Sequence, residues 1–493
     1  MTPQKDQRIM AEGESETDAT SLSCRLLGRE IRAPVSLDAI SETIARLESP
    51  SILGGNAAVE KTGRFSLWAA EPRDVFEFTA DQQDPFDELE AVLGRYFQGA
   101  SPPPQWPTGL FQGGWIGHFS YELGRYIERL PQTAIDDLGI PLIRLCFYDR
   151  FIAYDHHKDV FWAAALEIPG DAEAPEEKID QLERLLNAAT DTPVSNPPSV
   201  NIGDVDLSAA QANMEPSEYI RSVERIKRYI RDGDVYQVNF SQRFDRPFTG
   251  RPIDLFHWQN RNNPSPYAAY IDAGDFQVVS TSPEMFITVR DGLIHTQPIK
   301  GTRPRLNTED HDSQEANRRN REELWASEKE RAELNMIVDL ERNDIARICE
   351  PGTRHVVQPR AIEAFPTVFH AMATVGGTLR RGTRFTDILK AVFPGGSITG
   401  APKIRAMEII DELEPTARSI YTGSIGFVGL DGTVCLNIAI RTVIITAHRA
   451  FVQTGGGIVA DSDPKAEWDE TITKARALLA GIEAVQESRF KGS

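Results

Sequence analysis

Cysteine is scarce: Cys24, Cys146, Cys349 and Cys435 are the only four in 493 residues, far apart and never paired as C-x-x-C. That spacing excludes a disulfide framework and the usual zinc patterns, and it suits a reducing compartment. No run of about 18 apolar residues occurs, so no membrane-spanning helix is expected. The first twenty residues, MTPQKDQRIMAEGESETDAT, contain no apolar core of a secretory signal. A cytoplasmic protein is the resulting expectation. Positive charge is also in deficit, 53 Lys plus Arg against 73 Asp plus Glu, for a formal charge of −20. Such a field repels phosphate backbones and anionic lipid, so neither nucleic acid nor membrane is expected as a partner. Any anionic substrate would need local help from arginine, lysine or a bound cation.

What is present reads as a globular chain, 40% hydrophobic and 26% charged. At roughly 150 residues per domain its length allows two or three domains or one large layered body. Residues 1–22 are read as a disordered tail. Residues 23–190 form an N-terminal region, 191–214 a Pro-, Asn- and Ser-rich linker or surface loop, and 215–488 the more sharply patterned remainder. Strands are expected at Phe65 to Ala70 and Val75 to Phe78, followed by the glycine-paired FQGGWIGHFSYELGRYIE. In the last region Tyr219, Val223, Ile226 and Ile230 recur at helical spacing up to the stop signal Asp232-Gly233. VYQVNFSQRF alternates, placing Tyr236, Val238 and Phe240 on a core face and Gln237, Asn239 and Ser241 toward a polar cleft. Asp291-Gly292 between MFITVR and LIHTQ marks a hairpin. Strands and helices without regular alternation indicate an α+β fold.

Several residues could carry chemistry. Beyond Asp463-Pro464, Trp468, Ile472, Ala475, Leu479 and Ile482 make an apolar helical stripe, with Glu467, Glu470 and Lys474 along its margin. A second E-x-x-E, Glu330 and Glu333, lies in another expected helix, and two such helices face to face would offer oxygen ligands suited to magnesium, although such pairs are most often solvated faces. FPGGSITGAPK has the look of an anion loop containing Thr399 and Gly400. It is no nucleotide loop of the Walker kind, because Ala401 stands where lysine is needed. Gly455-Gly456-Gly457, after the strand-like AFVQT, reads as a second loop, either presenting N–H groups or simply turning. Lys300 in QPIKGTRPR is by default a surface charge; as a nucleophile it would have to be a free amine, at a cost of roughly 4 kcal/mol met by burial or a neighbouring cation. His370 in TVFHAMATV reads as a core histidine, and Glu284 in TSPEMF as a strand-end acid that could donate a proton if desolvated.

Taken in order, SPE, PIKGTRPR, ERAELNMIVDLERNDIARI, FPGGSITGAPKIRAMEII, YTGSIG, NIAIRT, GGGIVADSDP and EWDETITKA resemble the chorismate-utilising enzymes, specifically the large subunits of aminodeoxychorismate synthase and anthranilate synthase. The resemblance is dense from Tyr219 to Leu479 and reaches FQGGWIGHFSYELGR. It implies a large α/β sandwich, two antiparallel sheets flanked by helices with the site in a cleft between them. It implies Mg2+ on Glu333 and Glu470, with Glu330 and Glu467 behind them orienting water and ligands. Tyr421, Arg441, Lys474, Gly456 and Gly457 would then meet the substrate carboxylates, and Gly455, Thr399 and Gly400 would complete the substrate-binding set.

Within that family lysine in P-I-K-G-T resembles the aminodeoxychorismate synthase branch, whereas anthranilate synthases typically have alanine. The mechanism so implied has the Lys300 amine add to the ring's second carbon as the hydroxyl leaves the fourth, with Glu284 as proton donor. Ammonia then displaces the lysine, giving 4-amino-4-deoxychorismate on the way to p-aminobenzoate and folate. His370 would stand beside the departing hydroxyl and Thr302 would orient the ring. Gln237 occupies the place of the water-activating lysine of isochorismate synthases, which disfavours their chemistry. No cysteine lies in a G-x-C-x-G setting, so ammonia is expected from a separate glutamine amidotransferase subunit in a heterodimer. Leu47-Glu48-Ser49 is similar to the tryptophan-binding segment of anthranilate synthases, making tryptophan a possible N-terminal ligand. The alternatives are anthranilate synthase component I, or a non-catalytic regulatory subunit that binds chorismate or an amino acid.

Overall fold

The computed structural model describes residues 21–55, 63–80, 83–198, 200, 202–306, 308 and 310–490. The expected tail lies outside them up to residue 20, and the first regular element among the described residues is the strand Leu22–Ile31.

Local patterning explains many elements. In the helix Pro216–Asp232, Tyr219, Val223 and Ile226 are fully buried, and Gly233 closes the helix at φ 86°, a left-handed cap that glycine adopts without a Cβ clash. Met285–Arg290 and Leu293–Gln297 form the expected hairpin, with Asp291 and Gly292 both at positive φ as the twist of a two-residue turn requires. The alternation of VYQVNFSQRF holds for Val238 and Phe240, which are buried, but Tyr236 is 73% exposed. The strand starts only at Gln237, and Tyr236 precedes it, its amide bonded to Ala401 O.

Among the described residues the strands form two sheets. The 13-stranded sheet runs, from one edge, through Gln211–Ala212, Gln237–Pro247, Arg449–Ile458, Thr442–Thr446, Phe276–Ser282, Tyr267–Asp272, Ser51–Leu53, Phe65–Ala69, Arg150–Asp155, Val160–Glu167, Leu22–Ile31 and Tyr96–Gln98, with Gly400–Ala401 added on Gln237–Val238. The 10-stranded sheet runs through Ile299–Pro304, Val368–Thr378, Leu293–Gln297, Met285–Arg290, Val434–Asn437, Ser424–Gly429, Gly114–Phe119, Ile143–Tyr148 and Asp74–Phe78, with His355–Ala364 added on Val368–Thr378. The ladders are antiparallel as expected, except that Leu22–Cys24 lies parallel to Tyr96–Gln98.

Residues before and after the expected linker share both sheets. Ser51–Leu53 pairs with Ala269–Ile271, and Gly114–Phe119 pairs with Ser424–Gly429. The 191–214 stretch itself contains two short 3-10 turns and Gln211–Ala212, which pairs with Phe244–Asp245.

The inner faces of the sheets meet in a large apolar layer. Phe111 spans it, 5.1 Å from the Phe151 ring of one sheet and 4.8 Å from the Phe427 ring of the other. The outer face of the 13-stranded sheet is covered by the helices Leu37–Ile44, Pro175–Ala189, Pro252–Asn262 and Pro464–Phe490, through Ile40, Ile179, Leu255, Trp258, Ala475, Leu479 and Ile482. Each large aliphatic side chain buried there contributes about 1.5–3 kcal/mol.

Candidate active site

The site begins with a bulge. Ile299 pairs with Met372 but Thr302 pairs with His370, so the strand Ile299–Pro304 carries one extra residue at Lys300-Gly301. Gly301 sits at φ 99°, and a Cβ there would lie 2.9 Å from the Glu330 carboxyl carbon, so only glycine lets the chain pass this carboxylate. The bulge re-aims Lys300. Its Nζ donates to Ser397 O at 3.1 Å and lies 3.1 Å from Glu333 Oε1. Glu284 is buried nearby, and burial raises its pKa above the ordinary carboxylate value against the opposing pull of a Ser397 hydrogen bond and the Lys300 charge. His370 Nδ1 and Thr302 Oγ1 share a hydrogen bond of 2.9 Å, while His370 Nε2 is buried without a partner. Burial, reinforced by the Arg441 charge, lowers the His370 pKa to about 3, so its ring is neutral.

Glutamates from two helices reach the strand Arg449–Ile458 at Gly456 and Gly457. From Glu328–Ala346, Glu333 Oε1 accepts Gln237 Nε2 at 2.7 Å, and Glu330 Oε1 accepts Arg303 Nη1 at 2.8 Å, leaving Glu330 Oε2 buried and unpartnered. From Pro464–Phe490, Glu467 accepts Ser462 Oγ at 2.7 Å, and Lys474 Nζ lies 2.7 Å from Glu470 Oε1 and donates to Gly455 O at 2.9 Å. The glycines let both sets close in. A Cβ on Gly457 would stand 2.1 Å from Gln237 Nε2 and 2.8 Å from Glu333 Oε1; one on Gly456 would stand 3.1 Å from Glu467 Oε2 and 3.8 Å from Glu470 Oε1.

Gly455, Gly456 and Gly457 therefore do not form a loop, as their composition suggested. They lie within the strand, opposite Ser241, Phe240 and Asn239, and the run of glycine serves close approach. Burial, with help from Glu470, raises the Glu467 pKa against the Ser462 bond; burial also opposes ionisation of Glu470, but Lys474 outweighs it and the net shift is downward.

Arg441 is half-buried in a left-handed conformation (φ 50°), and burial lowers its pKa. Among the described residues it has no ion-pair partner. Tyr421 is 5% exposed, with the Arg418 guanidinium 5.9 Å from its ring centre. Thr399 is fully buried, but its hydroxyl is committed to Gly395 O and Gly396 O of its own loop. Gly400 sits at φ 144° where a Cβ would meet Gln237 O at 2.2 Å. The structure thus gathers Lys300, Glu333, Glu284 and Gln237, pairs Thr302 with His370, and joins Lys474 to Glu470, while the Thr399 side chain faces its own backbone.

Sequence reasoning missed the groups that hold these segments. Glu341 accepts Gly396 N at 3.0 Å, and Lys403 donates to Asp344 at 2.6 Å and to Val392 O at 3.0 Å, clamping the anion loop to the Glu330 helix. The charged run DLERND was the one sequence signal for Glu341 and Asp344. Among the described residues, the trio of metal-ligating groups with atoms within 4.8 Å of one another is Glu42, Asp254 and His257. Arg251 contacts both carboxylates there and Arg46 also reaches Glu42, so their charge is balanced by arginine. Between the sheets lies a cavity of about 580 Å³ bounded by Leu53, Phe65, Phe111, Tyr267, Met285 and Phe427. Leu47, Glu48 and Ser49 do not line it, and Ser49 is bonded by Arg144 and Tyr148.

The chain is 40% identical over 380 residues to aminodeoxychorismate synthase component 1 of Bacillus subtilis, covering 76% of this chain and 78% of that one. It is 37% identical over 468 residues to anthranilate synthase component 1 of Pseudomonas putida, covering 90% of each. The crystal structure of anthranilate synthase component I from Streptococcus pneumoniae superposes with a TM-score of 0.72 at 32% identity, over 84% of this chain and 92% of that one. The model of the chorismate binding enzymes matches residues 52–480, and with the fold and the clustered motif residues this places the chain in the family of chorismate binding enzymes.

Proposed function

We propose that the chain aminates chorismate with ammonia, in the presence of magnesium, to 4-amino-4-deoxychorismate, the precursor of p-aminobenzoate. Relatives of both the aminodeoxychorismate and the anthranilate type match at similar identity, so overall similarity does not choose the branch. The observation that carries the choice is Lys300, turned by its bulge to within 3.1 Å of Glu333 Oε1 and electrostatically coupled to the buried Glu284.

In this reading the Lys300 amine, once it has given up its proton, forms a bond to the ring's second carbon. The ring's two double bonds each move one place around the ring, and the fourth carbon loses its hydroxyl, which leaves as water with the proton of Glu284. Burial keeps that acid protonated to higher pH than usual. Ammonia then bonds to the fourth carbon and returns a proton to Glu284, both double bonds move back, and the lysine leaves as the free amine. Neutral His370, fixed through Thr302, offers its unpartnered Nε2 beside the departing group. Arg441 supplies an unmatched positive charge for a carboxylate.

Magnesium fits the residues present: the donors are all carboxylate oxygens, Glu330 Oε2 is buried without a partner, and Glu470 adds to the upward shift of Glu467. Glu333 and Glu470 would hold it, with Glu330 and Glu467 orienting water. Bound there, it would supply positive charge for a substrate carboxylate. The relatives' designation as component 1 supports a heterodimer in which a glutamine amidotransferase subunit supplies ammonia. Tryptophan is carried as a candidate ligand for the N-terminal region, tested by a thermal shift on adding it.

The deciding experiment is mass spectrometry of the purified chain with chorismate, magnesium chloride and ammonium salt. Aminodeoxychorismate is expected; anthranilate would move the chain to the other branch. No product even with an added amidotransferase would favour a regulatory subunit.

A further inference from the structure

The motif FSYELGR lies far from the glutamate helices in sequence and has no part in the chemistry above. Its Tyr121–Tyr126 segment nevertheless grips the loop that leads to Tyr421. Arg418 N donates to Glu122 Oε1 at 2.7 Å, Ser419 N donates to Glu122 Oε2 at 3.0 Å, and Tyr121 N donates to Ser419 O at 2.8 Å. One carboxylate thus satisfies two consecutive amides, and it does so where the chain is strained: Ser419 and Thr422 have φ of 55° and 60°, left-handed values that non-glycine residues hold only when their surroundings impose them.

The loop so held aims Arg418 inward. Arg418 is 2% exposed, and its guanidinium sits 4.7 Å from the centre of the Tyr121 ring. Nε and Nη2 donate to the two oxygens of Glu414 at 2.8 and 2.7 Å. Nη1 donates to Ile398 O at 2.9 Å and to Thr422 Oγ1 at 3.3 Å, and Nη2 to Asn239 O at 2.7 Å. Glu414 in turn accepts Ser241 N and Ser241 Oγ, each at 2.8 Å. One planar group therefore ties together the anion loop just before Thr399 and Gly400, the strand carrying Gln237 and Asn239, and the loop carrying Tyr421. A guanidinium can do this because its five donors lie in a fixed fork.

We propose that Glu122 and Arg418 are positioning residues for the chorismate site, Glu122 fixing the loop and Arg418 setting the separation of the three segments that line it. Neither touches substrate in this proposal. Errors of about 1 Å in such segments cost roughly 100-fold in rate, so the effect of loosening the brace should fall on substrate affinity and turnover before it falls on the fold.

The proposal rests on the reading of this site as one that holds chorismate, and the test separates the two. The full-length chain and its Glu122→Gln, Tyr421→Phe and doubly substituted forms are titrated calorimetrically with chorismate in magnesium chloride without ammonia, and their melting temperatures are recorded. Glu122→Gln keeps the shape but replaces one accepting oxygen with an NH2 group that faces an amide donor. We expect it to weaken chorismate binding about tenfold with a melting temperature within a few degrees of wild type. The double variant should lose less than the product of the single losses, because both act through one loop. Glu122→Asp, which keeps a carboxylate, should recover part of the affinity, and it carries the comparison if Glu122→Gln does not fold. A wild-type chain that fails to bind chorismate removes the functional reading. A wild type that binds, with a Glu122→Gln form that binds equally well or losses that simply multiply, removes the brace alone.

Discussion

Lys300 Nζ and Gln237 Nε2 converge on one atom, Glu333 Oε1, at 3.1 and 2.7 Å. A lysine and a cation would compete for that oxygen. Lys300→Ala should therefore do two opposite things: abolish formation of the aminated product, by about 1,000-fold or more, and tighten magnesium binding severalfold. Calorimetric titration with magnesium chloride reads the second effect, and unchanged or weaker magnesium binding would argue against Glu333 as a ligand.

Gly457 predicts a more selective defect. A methyl group there would overlap Gln237 Nε2 and press on Glu333 Oε1. Gly457→Ala should cost about 1–3 kcal/mol of stability, as overpacking does, and raise the magnesium concentration needed for half-maximal activity by about tenfold or more. A normal magnesium response in a folded Gly457→Ala chain would show that the glycine serves the strand and not the carboxylates.

His370 gives a pH signature. Its folded pKa of about 3 lies below the ordinary value of 6.5, so the unfolded chain takes up this proton first as pH falls. The stability associated with the neutral ring is present above about 6.5 and is lost progressively as pH falls toward 3. Comparing denaturant unfolding of wild type and His370→Gln from pH 7 to pH 4 should show a steeper loss for wild type. Parallel curves would falsify the assignment of a depressed pKa.

Arg441, without an acidic partner among the described residues and with a pKa lowered by burial, is held at a cost that only a ligand anion offsets. Arg441→Met should keep the melting temperature while weakening chorismate binding about tenfold or more. A chain that loses stability but keeps affinity would make the arginine architectural.

Much of this was legible in the sequence because local period and local chemistry agree with the fold. The Pro216–Asp232 helix, its Gly233 cap, the Asp291-Gly292 hairpin and the two E-x-x-E helices are each specified within a few residues. What was not legible depends on distant partners. The triple glycine is a strand because Asn239, Phe240 and Ser241 lie opposite it. Glu122 looks like one more acid until Arg418 and Ser419, on a far part of the chain, present their amides to it. Tyr236 obeys the alternation but falls one residue outside the ladder that would have buried it.

The pairing of Gly114–Phe119 with Ser424–Gly429 bears on how the chain is made. A ribosome delivers the first strand long before the second, at about 5–20 residues per second, so tens of seconds pass in which a strand buried along its whole length in the finished fold has only one of its two neighbours, Ile143–Tyr148. The smaller sheet cannot close until Ser424–Gly429 has been made. Ribosome-bound chains halted near residue 400 should therefore be captured by holdase chaperones and cut readily by protease, and resistance should appear only once the 424–429 segment has left the exit tunnel.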